Sequence, residues 1–470
     1  MRTEKDINGE VLINEDIYYG LHTKRYIENF AVSDVKINPH LIRAYLQVKK
    51  AAAETNYKCG LLFKEKYEAI DDAIKILTND INDVLLKKQN DIFNKIVVDA
   101  YQGGSGTYLN LNINEVIANT ALKISEKDLG DYDSIHPLDD INMSQSTNDT
   151  FSTSVKIAVI HLIHELIPSY RHLHSELLAK ENEFMHILKL GRIQLQDAVP
   201  ISLGQVFGAY AGAIERNITE LEGLEKKLCQ INLGGTAVGN SIAVSREYVK
   251  QVIPILQKVT GLNLVPAANM IDNTQNLDVF VEVSGVLKTS AVNLIKMAND
   301  LRLLASGPMG GLGEIKLPEF YSASSFIPGK SNPAVLENII QIAELIKGHD
   351  VTISNLAAAG NMELNSFLPM ISHLLLTSLG LLKNSTKSLA ENCIKLIEAN
   401  EEKCRENLLR TSAIAASLVN RFGFETVTEI VQFANSRNIP FLKALLKSKL
   451  VDENELFQII SSELSIDLGE

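Results

Sequence analysis

The sequence predicts a mainly α-helical protein with three regions and a central bundle of long helices. Its 470 residues, of which 46% are hydrophobic, are too many for one simple core. The stretch 277–304 is apolar around most of its circumference and, as one continuous helix, would be roughly 40 Å long. A helix with so little polar surface is buried on most sides, which is typical of the centre of a helix bundle.

Two further observations define the regions. Apolar periodicity at 338–356 and 368–389 predicts two more long helices, whereas the chain after about residue 395 has shorter and more polar helical segments. We therefore expect an N-terminal helical region at 1–140, a bundle region at 141–395 and a small C-terminal helical region at 396–470.

Charge and composition exclude several classes of protein. A net charge of −12 argues against a nucleic-acid surface, which needs a basic face, but a local pocket can still bind a small anion. No apolar run approaches the ~20 residues that cross a bilayer, and the first residues lack a signal-peptide core. We therefore expect a cytoplasmic protein without membrane contact. The four cysteines lack metal-type spacing and are expected to be reduced.

The first region contains predicted helices and one predicted irregular segment. Residues 16–30 are rich in aromatic side chains without clear periodicity, which indicates irregular chain. A helix is predicted after Pro39 with a stop near Gly60, and helical patterning continues through 64–88.

A glycine-rich turn at 102–106 runs into a helix that starts with polar residues. The turn presents the hydroxyls of Ser105 and Thr107. Such a pattern is typical of a capped helix start, and alone it is weak evidence for a phosphate site because no Gly-Lys-Ser/Thr follows.

A second polar cluster, at 142–152, precedes a helix with an apolar stripe. Ser146, Thr147 and Asn148 stand just before that helix, which we expect Pro168 to end or kink. Hydroxyl and amide groups at a helix start either cap the helix or bind an anion, and the sequence alone does not separate the two roles. His161 and His164 lie off the apolar stripe and are expected to be exposed.

A loop at 317–337 connects two helical regions and concentrates reactive side chains. Ser324, Ser325, Lys330 and Asn332 place hydroxyls, a cation and an amide on one segment, and Gly329 lets the backbone bend. Long loops of this kind are often active-site lids. From these residues alone, the alternative is a surface loop whose Ser and Asn side chains satisfy their own backbone.

Together these stretches resemble the aspartase/fumarase superfamily. Ser-Ser-Phe-Ile-Pro-Gly-Lys-Ser-Asn-Pro at 324–333 is similar to its signature loop, and Gly-Ser-Gly-Thr at 104–107 to its first carboxylate-binding stretch. Ser-Thr-Asn at 146–148 and Gly-Arg-Ile-Gln-Leu-Gln-Asp-Ala at 191–198 look more like the aspartase branch than the fumarase branch. The resemblance implies a three-region, mainly α homotetramer whose active sites are assembled from three subunits.

The resemblance also implies an activity and a set of site residues. The activity is elimination of ammonia from L-aspartate, a small amino-dicarboxylate, to give fumarate. No cofactor would be required, because no His, Cys and carboxylate cluster has ligand spacing, and a divalent cation stays open as an activator. Ser324 would act as the base with the help of Lys330. The substrate would be bound by Thr107, Ser146, Thr147, Asn148, Gln194, Ser325 and Asn332.

Three departures from the family pattern keep other functions open. Ile193 stands where the family has Thr, Met309 where it has Arg, and Ala323 where it has Gly. Loss of the Thr hydroxyl would cost about 1–3 kcal/mol if nothing replaces its hydrogen bond. The alternatives are a fumarase, another fumarate-forming lyase of a related amino-dicarboxylate, a weakly active relative and a non-catalytic oligomer.

Overall fold

The molecule is mainly α-helical, which confirms the predicted fold class. The structure is a computed structural model that describes residues 1–319 and 324–466. Within those residues it contains seventeen α-helices and four small sheets of two strands each. Ala323 lies outside the described residues.

The chain starts with an antiparallel hairpin and a short helix. The hairpin consists of β1 (Arg2–Asp6) and β2 (Gly9–Ile13), and the helix is α1 (Leu21–Phe30). The prediction of irregular chain at 16–30 is therefore wrong for most of its length. Buried carboxylates explain the helix, because Glu4 accepts the N–H of Leu21 at 2.8 Å and Glu115 accepts that of His22 at 2.9 Å.

The next helices follow the predicted pattern, except for the short helix at 92–95, which was not predicted. They are α2 (Pro39–Lys58), α3 (Lys64–Leu85), α4 (Ile92–Lys95) and α5 (Thr107–Ile124). Asn38 caps α2 by accepting the N–H of His40 at 2.9 Å, and Gly60 follows the helix with a φ of +75°. That left-handed conformation suits glycine and supports the predicted stop.

The central part of the chain combines long helices with short strands. Its elements are α6 (Thr147–Phe184), β3 (Leu188–Ile193), β4 (Gln196–Ser202), α7 (Leu203–Leu228), β5 (Gln230–Ile231), α8 (Arg246–Thr260), β6 (Val265–Pro266), α9 (Met270–Gln275) and α10 (Asp278–Leu304). Pro168 lies inside α6 and does not end it. By length and composition α6 is able to cross a bilayer, but 78% of its most apolar window is buried inside the protein, as in a core helix.

Two histidines of α6 differ in their exposure. His164 is exposed as predicted, whereas His161 is only partly exposed, so that part of the prediction is wrong. Arg43 and His40 of α2 lie close enough to His161 to act on its charge, so α2 covers part of this face of α6. Burial, aided by these groups, lowers the pKa of His161 to about 4.

The last part of the chain has two long helices followed by shorter ones, as predicted. Its elements are β7 (Ile315–Lys316), α11 (Ala334–Ala358), α12 (Leu368–Asn392), β8 (Glu398–Ala399), α13 (Glu401–Arg410), α14 (Val419–Phe422), α15 (Phe424–Arg437), α16 (Phe441–Ser448) and α17 (Glu453–Ile466). The short helices share an apolar core that includes Leu408, Ile414, Leu418, Phe441 and Leu445.

The chain divides into two compact units. The first comprises Met1–Ile167, Thr219–Thr289 and Leu345–Leu382, and the second comprises Pro168–Ile218, Ser290–Glu344 and Lys383–Glu470. Helices α6, α7, α10, α11 and α12 each belong partly to both units. The division into 1–140, 141–395 and 396–470 stays a prediction.

Candidate active site

In the first unit, the start of α6 presents three polar side chains. The Oγ of Ser146 accepts the N–H of Asn148 at 3.2 Å, and the Asn148 amide donates to the carbonyl of Ala237 at 2.7 Å. Ser146, Thr147 and Asn148 are all partly exposed. Because the N-terminus of a long helix carries partial positive charge and unpaired N–H groups, this turn is suited to bind a carboxylate.

The side chain of Asp149 fixes the position of this turn. It is fully buried, and its carboxylate accepts backbone N–H groups from Ser146 at 3.0 Å, Gly234 at 3.1 Å and Thr236 at 3.0 Å. Burial raises the pKa of Asp149 to about 6, and the three N–H groups oppose that shift. The carboxylate thus ties the start of α6 to the small-residue turn at 233–239.

A buried lysine lies beside the same turn. Lys49 of α2 is 1% exposed, and its ammonium donates to the side-chain oxygens of Asn142 at 3.0 Å and Gln145 at 2.9 Å. Burial lowers the pKa of Lys49 to about 7, although the charge of Asp149 acts in the opposite direction. The sequence analysis missed this residue. Its signal was a lysine on the apolar face of α2, next to Val48.

The glycine-rich turn packs directly against α6. Its backbone is left-handed at Gly104, Ser105 and Gly106, with φ values of +70°, +57° and +90°. A Cβ on Gly106 would lie 2.2 Å from the ring of Phe151, so only glycine lets the turn approach so closely. Thr107, partly exposed, is the first residue of α5. The starts of α5 and α6 are therefore brought together, as the assignment of both stretches to one carboxylate site requires.

In the second unit, Gln194 lies at the tip of a hairpin. Strands β3 and β4 pair antiparallel, and the connecting residues Gln194 and Leu195 both have positive φ, +56° and +61°. This is the twist that two-residue hairpin turns prefer. Gln194 is exposed, and so are the apolar side chains of Ile193, Leu195 and Val199, at 68%, 73% and 56%.

The serines of the predicted lid lie in the same unit. The Oγ of Ser324 accepts the backbone N–H groups of Phe326 at 3.3 Å and Ile327 at 2.9 Å. Ser325 is exposed, and Gly329 has a φ of +74°. The hydrogen bonds match the alternative in which serine satisfies its own backbone, but the same N–H groups would also stabilise an alkoxide at Ser324.

Lys330 and Asn332 line a cleft of about 910 Å³ at the base of this loop. Met309, which is 94% exposed, is also part of the lining. Four basic and three acidic side chains line it as well, namely Arg302, Lys316, Lys330, Lys403, Glu319, Glu337 and Glu398. Ser324, Ser325 and Gln194 are not among the lining residues.

The described residues contain no group of three or more His, Cys, Asp or Glu side chains arranged to hold a metal ion. The donors that surround the candidate residues are hydroxyls, amides, backbone N–H groups and lysines. Hydrogen-bond donors of these kinds bind and polarise a carboxylate.

Known proteins resemble this chain over almost its full length. A family model described as Lyase matches residues 9–348. An aspartate ammonia-lyase from a Bacillus species is 41% identical over 98% of this chain and 96% of its own length. An aspartate ammonia-lyase from Helicobacter pylori is 38% identical over 98% of this chain and 97% of its own length.

Solved structures also resemble this chain over its full length. A fumarate lyase:delta crystallin from Brucella melitensis, bound to cobalt, has a TM-score of 0.92 and 41% identity, with 100% of both chains covered. A class II fumarase from Schistosoma mansoni has a TM-score of 0.89 and 28% identity, again with 100% of both chains covered. Sequence, fold and motifs therefore agree that this chain is a lyase of the aspartase/fumarase superfamily.

Proposed function

We propose that this chain is an aspartate ammonia-lyase, a carbon-nitrogen lyase that eliminates ammonia from L-aspartate to give fumarate. The observation that carries the proposal is its similarity, over almost the whole chain, to proteins named for this activity. Neutral donors and lysines at the candidate residues are the groups that a doubly negative substrate requires.

The chemical difficulty of the reaction explains the need for many donors. The Cβ proton of aspartate is barely acidic, so the charge that develops on its removal must spread onto the adjacent carboxylate as an enediolate. Donors at fixed positions stabilise that charge best. We assign this role to Thr107, Ser146, Thr147, Asn148, Gln194, Ser325 and Asn332.

We assign the role of the general base, which removes the Cβ proton, to Ser324. A serine hydroxyl is a poor base near neutral pH, and it must therefore be deprotonated in surroundings that favour the anion. The N–H groups of Phe326 and Ile327 already point at its Oγ. The positive charge of Lys330, six residues later in the chain, would add to this effect when the loop closes over substrate and excludes water.

The test measures fumarate by its ultraviolet absorbance after L-aspartate is added to the purified protein. The wild type should form fumarate, and Ser324→Ala should lower kcat by about 10²–10⁴-fold because the general base is gone. Ser331→Ala is the matched control. It removes a hydroxyl from the same exposed loop and should change kcat by less than about twofold.

Two outcomes would contradict the proposal. A wild type that forms no fumarate from aspartate is not an aspartate ammonia-lyase. If the same preparation instead hydrates fumarate to malate, the fumarase alternative holds, and a set of N-substituted aspartates would test for a related lyase. An unchanged kcat in Ser324→Ala would leave the activity in place and remove the base assignment.

We also propose a cytoplasmic homotetramer whose sites are shared between subunits. The exposed apolar side chains at the tip of the β3–β4 hairpin support an oligomer, because such a cluster is usually covered by a partner. No metal enters the proposed chemistry, and a divalent cation stays open as an activator.

A further inference from the structure

A fully buried carboxylate in the second unit binds two cations. Glu314 is 0% exposed. Arg192 donates to both of its oxygens, at 2.7 and 3.0 Å, and the ammonium of Lys189 lies 3.2 Å from one of them. Asn407 of α13 adds a hydrogen bond at 3.0 Å. A planar, bidentate pair of this kind fixes orientation as well as distance.

One side of this cluster belongs to the hairpin that carries Gln194. Arg192 lies two residues before Gln194 on β3, and Lys189 lies on the same strand. The ammonium of Lys189 also donates to the carbonyl of Leu190 at 2.7 Å. Both cations that contact Glu314 thus belong to the strand that leads to Gln194.

The other side leads into the loop that carries Ser324 and Lys330. Glu314 directly precedes β7, after which the chain enters the loop. Its own backbone is held by hydrogen bonds to Leu304 and Asn400, both 2.9 Å long. Asn407 further donates to the carbonyl of Leu312 at 3.2 Å. One carboxylate thus joins the root of the loop to the hairpin and to α13.

We infer that Glu314 is a positioning residue, which sets the orientation of the Gln194 hairpin and of the Ser324 loop through its ion pairs with Arg192 and Lys189. This inference rests on the proposed function for its kinetic part only. Because Glu314 is 0% exposed, it would act through Arg192 and Lys189 and not by direct contact with substrate. The ion pairs also explain why the net pKa of Glu314 is lowered although burial raises it.

The experiment uses the full-length protein and two readouts. The first is kcat/KM for L-aspartate. The second is tryptic cleavage after Lys330 in the exposed loop, divided by cleavage after Lys449, an exposed residue at the end of α16, with both products measured by mass spectrometry. The ratio separates loosening of the loop from loosening of the whole molecule.

The variants are Arg192→Lys, which keeps the charge but loses the bidentate pair, and Glu314→Gln, which keeps the shape but loses the charge. Both should lower kcat/KM at least tenfold and raise the cleavage ratio at least threefold. Tyr210→Phe is the control, because it removes a 2.9 Å hydrogen bond from a buried tyrosine to the half-buried Asp300 in the same unit, without contact to either stretch. Both readouts should stay within twofold in this variant.

An unchanged cleavage ratio in Arg192→Lys would overturn the inference, and so would equal acceleration at Lys330 and Lys449, which indicates general destabilisation. If Glu314→Gln does not fold, Arg192→Lys alone decides. A wild type without aspartate activity would refute the proposed function, but the cleavage ratio would still test the role of Glu314.

Discussion

The start of α6 and the loop around Ser324 carry candidate residues of one reaction, yet they are held very differently. At the start of α6, the buried side chains of Asp149 and Lys49 form hydrogen bonds that hold the partly exposed residues 142–146 in place. In the loop, residues 325–331 are all exposed, and the described hydrogen bonds of Ser324 are to its own neighbours. The first site is preorganised, whereas the second depends on what closes over it.

This difference suggests that substrate binding and catalysis place different demands on the two regions. Groups that only bind a carboxylate gain from rigid support, since no ordering is needed when substrate arrives. A base and a cation that must first admit substrate and then exclude water gain from an exposed loop. Substitutions should therefore affect stability in the first region and turnover in the second.

The largest expected effect contrasts Lys330→Ala with Asp149→Asn. Lys330→Ala should lower kcat/KM by about 10³-fold because it removes the cation proposed to assist Ser324, while stability changes by less than about 0.5 kcal/mol at this exposed position. Asp149→Asn should destabilise the protein by about 2 kcal/mol, since an amide cannot accept all three N–H groups. Urea unfolding and steady-state kinetics measure both effects.

The proposed contrast between the two regions would be wrong if both variants had the same effect on stability. A marked loss of stability in Lys330→Ala would mean that the loop is part of the folded core. Unchanged stability in Asp149→Asn would mean that the three backbone contacts do not support the start of α6.

A smaller effect is expected from Lys49→Met. Removal of the buried charge should weaken fumarate binding about tenfold, which corresponds to about 1.4 kcal/mol. Because the pKa of Lys49 is lowered to about 7, its ammonium loses its proton as the pH rises through that value. The affinity of the wild type for fumarate should therefore fall between about pH 6.5 and 8.5, and this fall should be weaker in the variant.

Lys156→Met supplies the matched control for the buried charge. Lys156 is also 1% exposed, and its ammonium donates to the carbonyl of Gln230 and the side chain of Asn273, both at 2.7 Å. It has no described contact with the turn at 142–148, so fumarate affinity should change less than twofold. Calorimetric titration at several pH values tests both variants, and equal losses in both would refute a specific role of Lys49.

The smallest effect is expected from Met309→Arg, which restores the residue of the family pattern in the cleft of the second unit. The added cation should raise kcat/KM for aspartate about two- to fivefold at low salt and less at high salt, because exposed charges are screened. Met309→Gln has a similar length without charge and should not change kcat/KM. An Arg variant that behaves like the Gln variant would show that this position does not influence the site.

Much of the fold could be predicted because long helices show a regular spacing of apolar residues in the sequence. The bounds expected for α2, α3, α11 and α12 agree with the structure within a few residues. The helix α1 was missed because its start depends on Glu4 and Glu115, which lie far from it in the chain. Sequence periodicity does not contain such long-range capping.

The candidate site was predictable as a set of motifs, not as a geometry. Ser146 and Thr107 were recognised by their local pattern, and the structure places them at two neighbouring helix starts. Lys49, Asp149 and Glu314 were not recognised as supports, since their role arises only when distant segments fold together. The participation of Gln194 and Ser324 in one site stays a prediction.

Gly106 limits how this chain can change over evolutionary time. Its backbone is in a region that side chains rarely adopt, and the ring of Phe151 occupies the space of any Cβ. Backbone strain and a steric clash would thus both penalise any other residue at this position. A library that randomises this position should return almost only glycine, whereas escape by a second change at Phe151 would relieve the crowding and leave the backbone penalty in place.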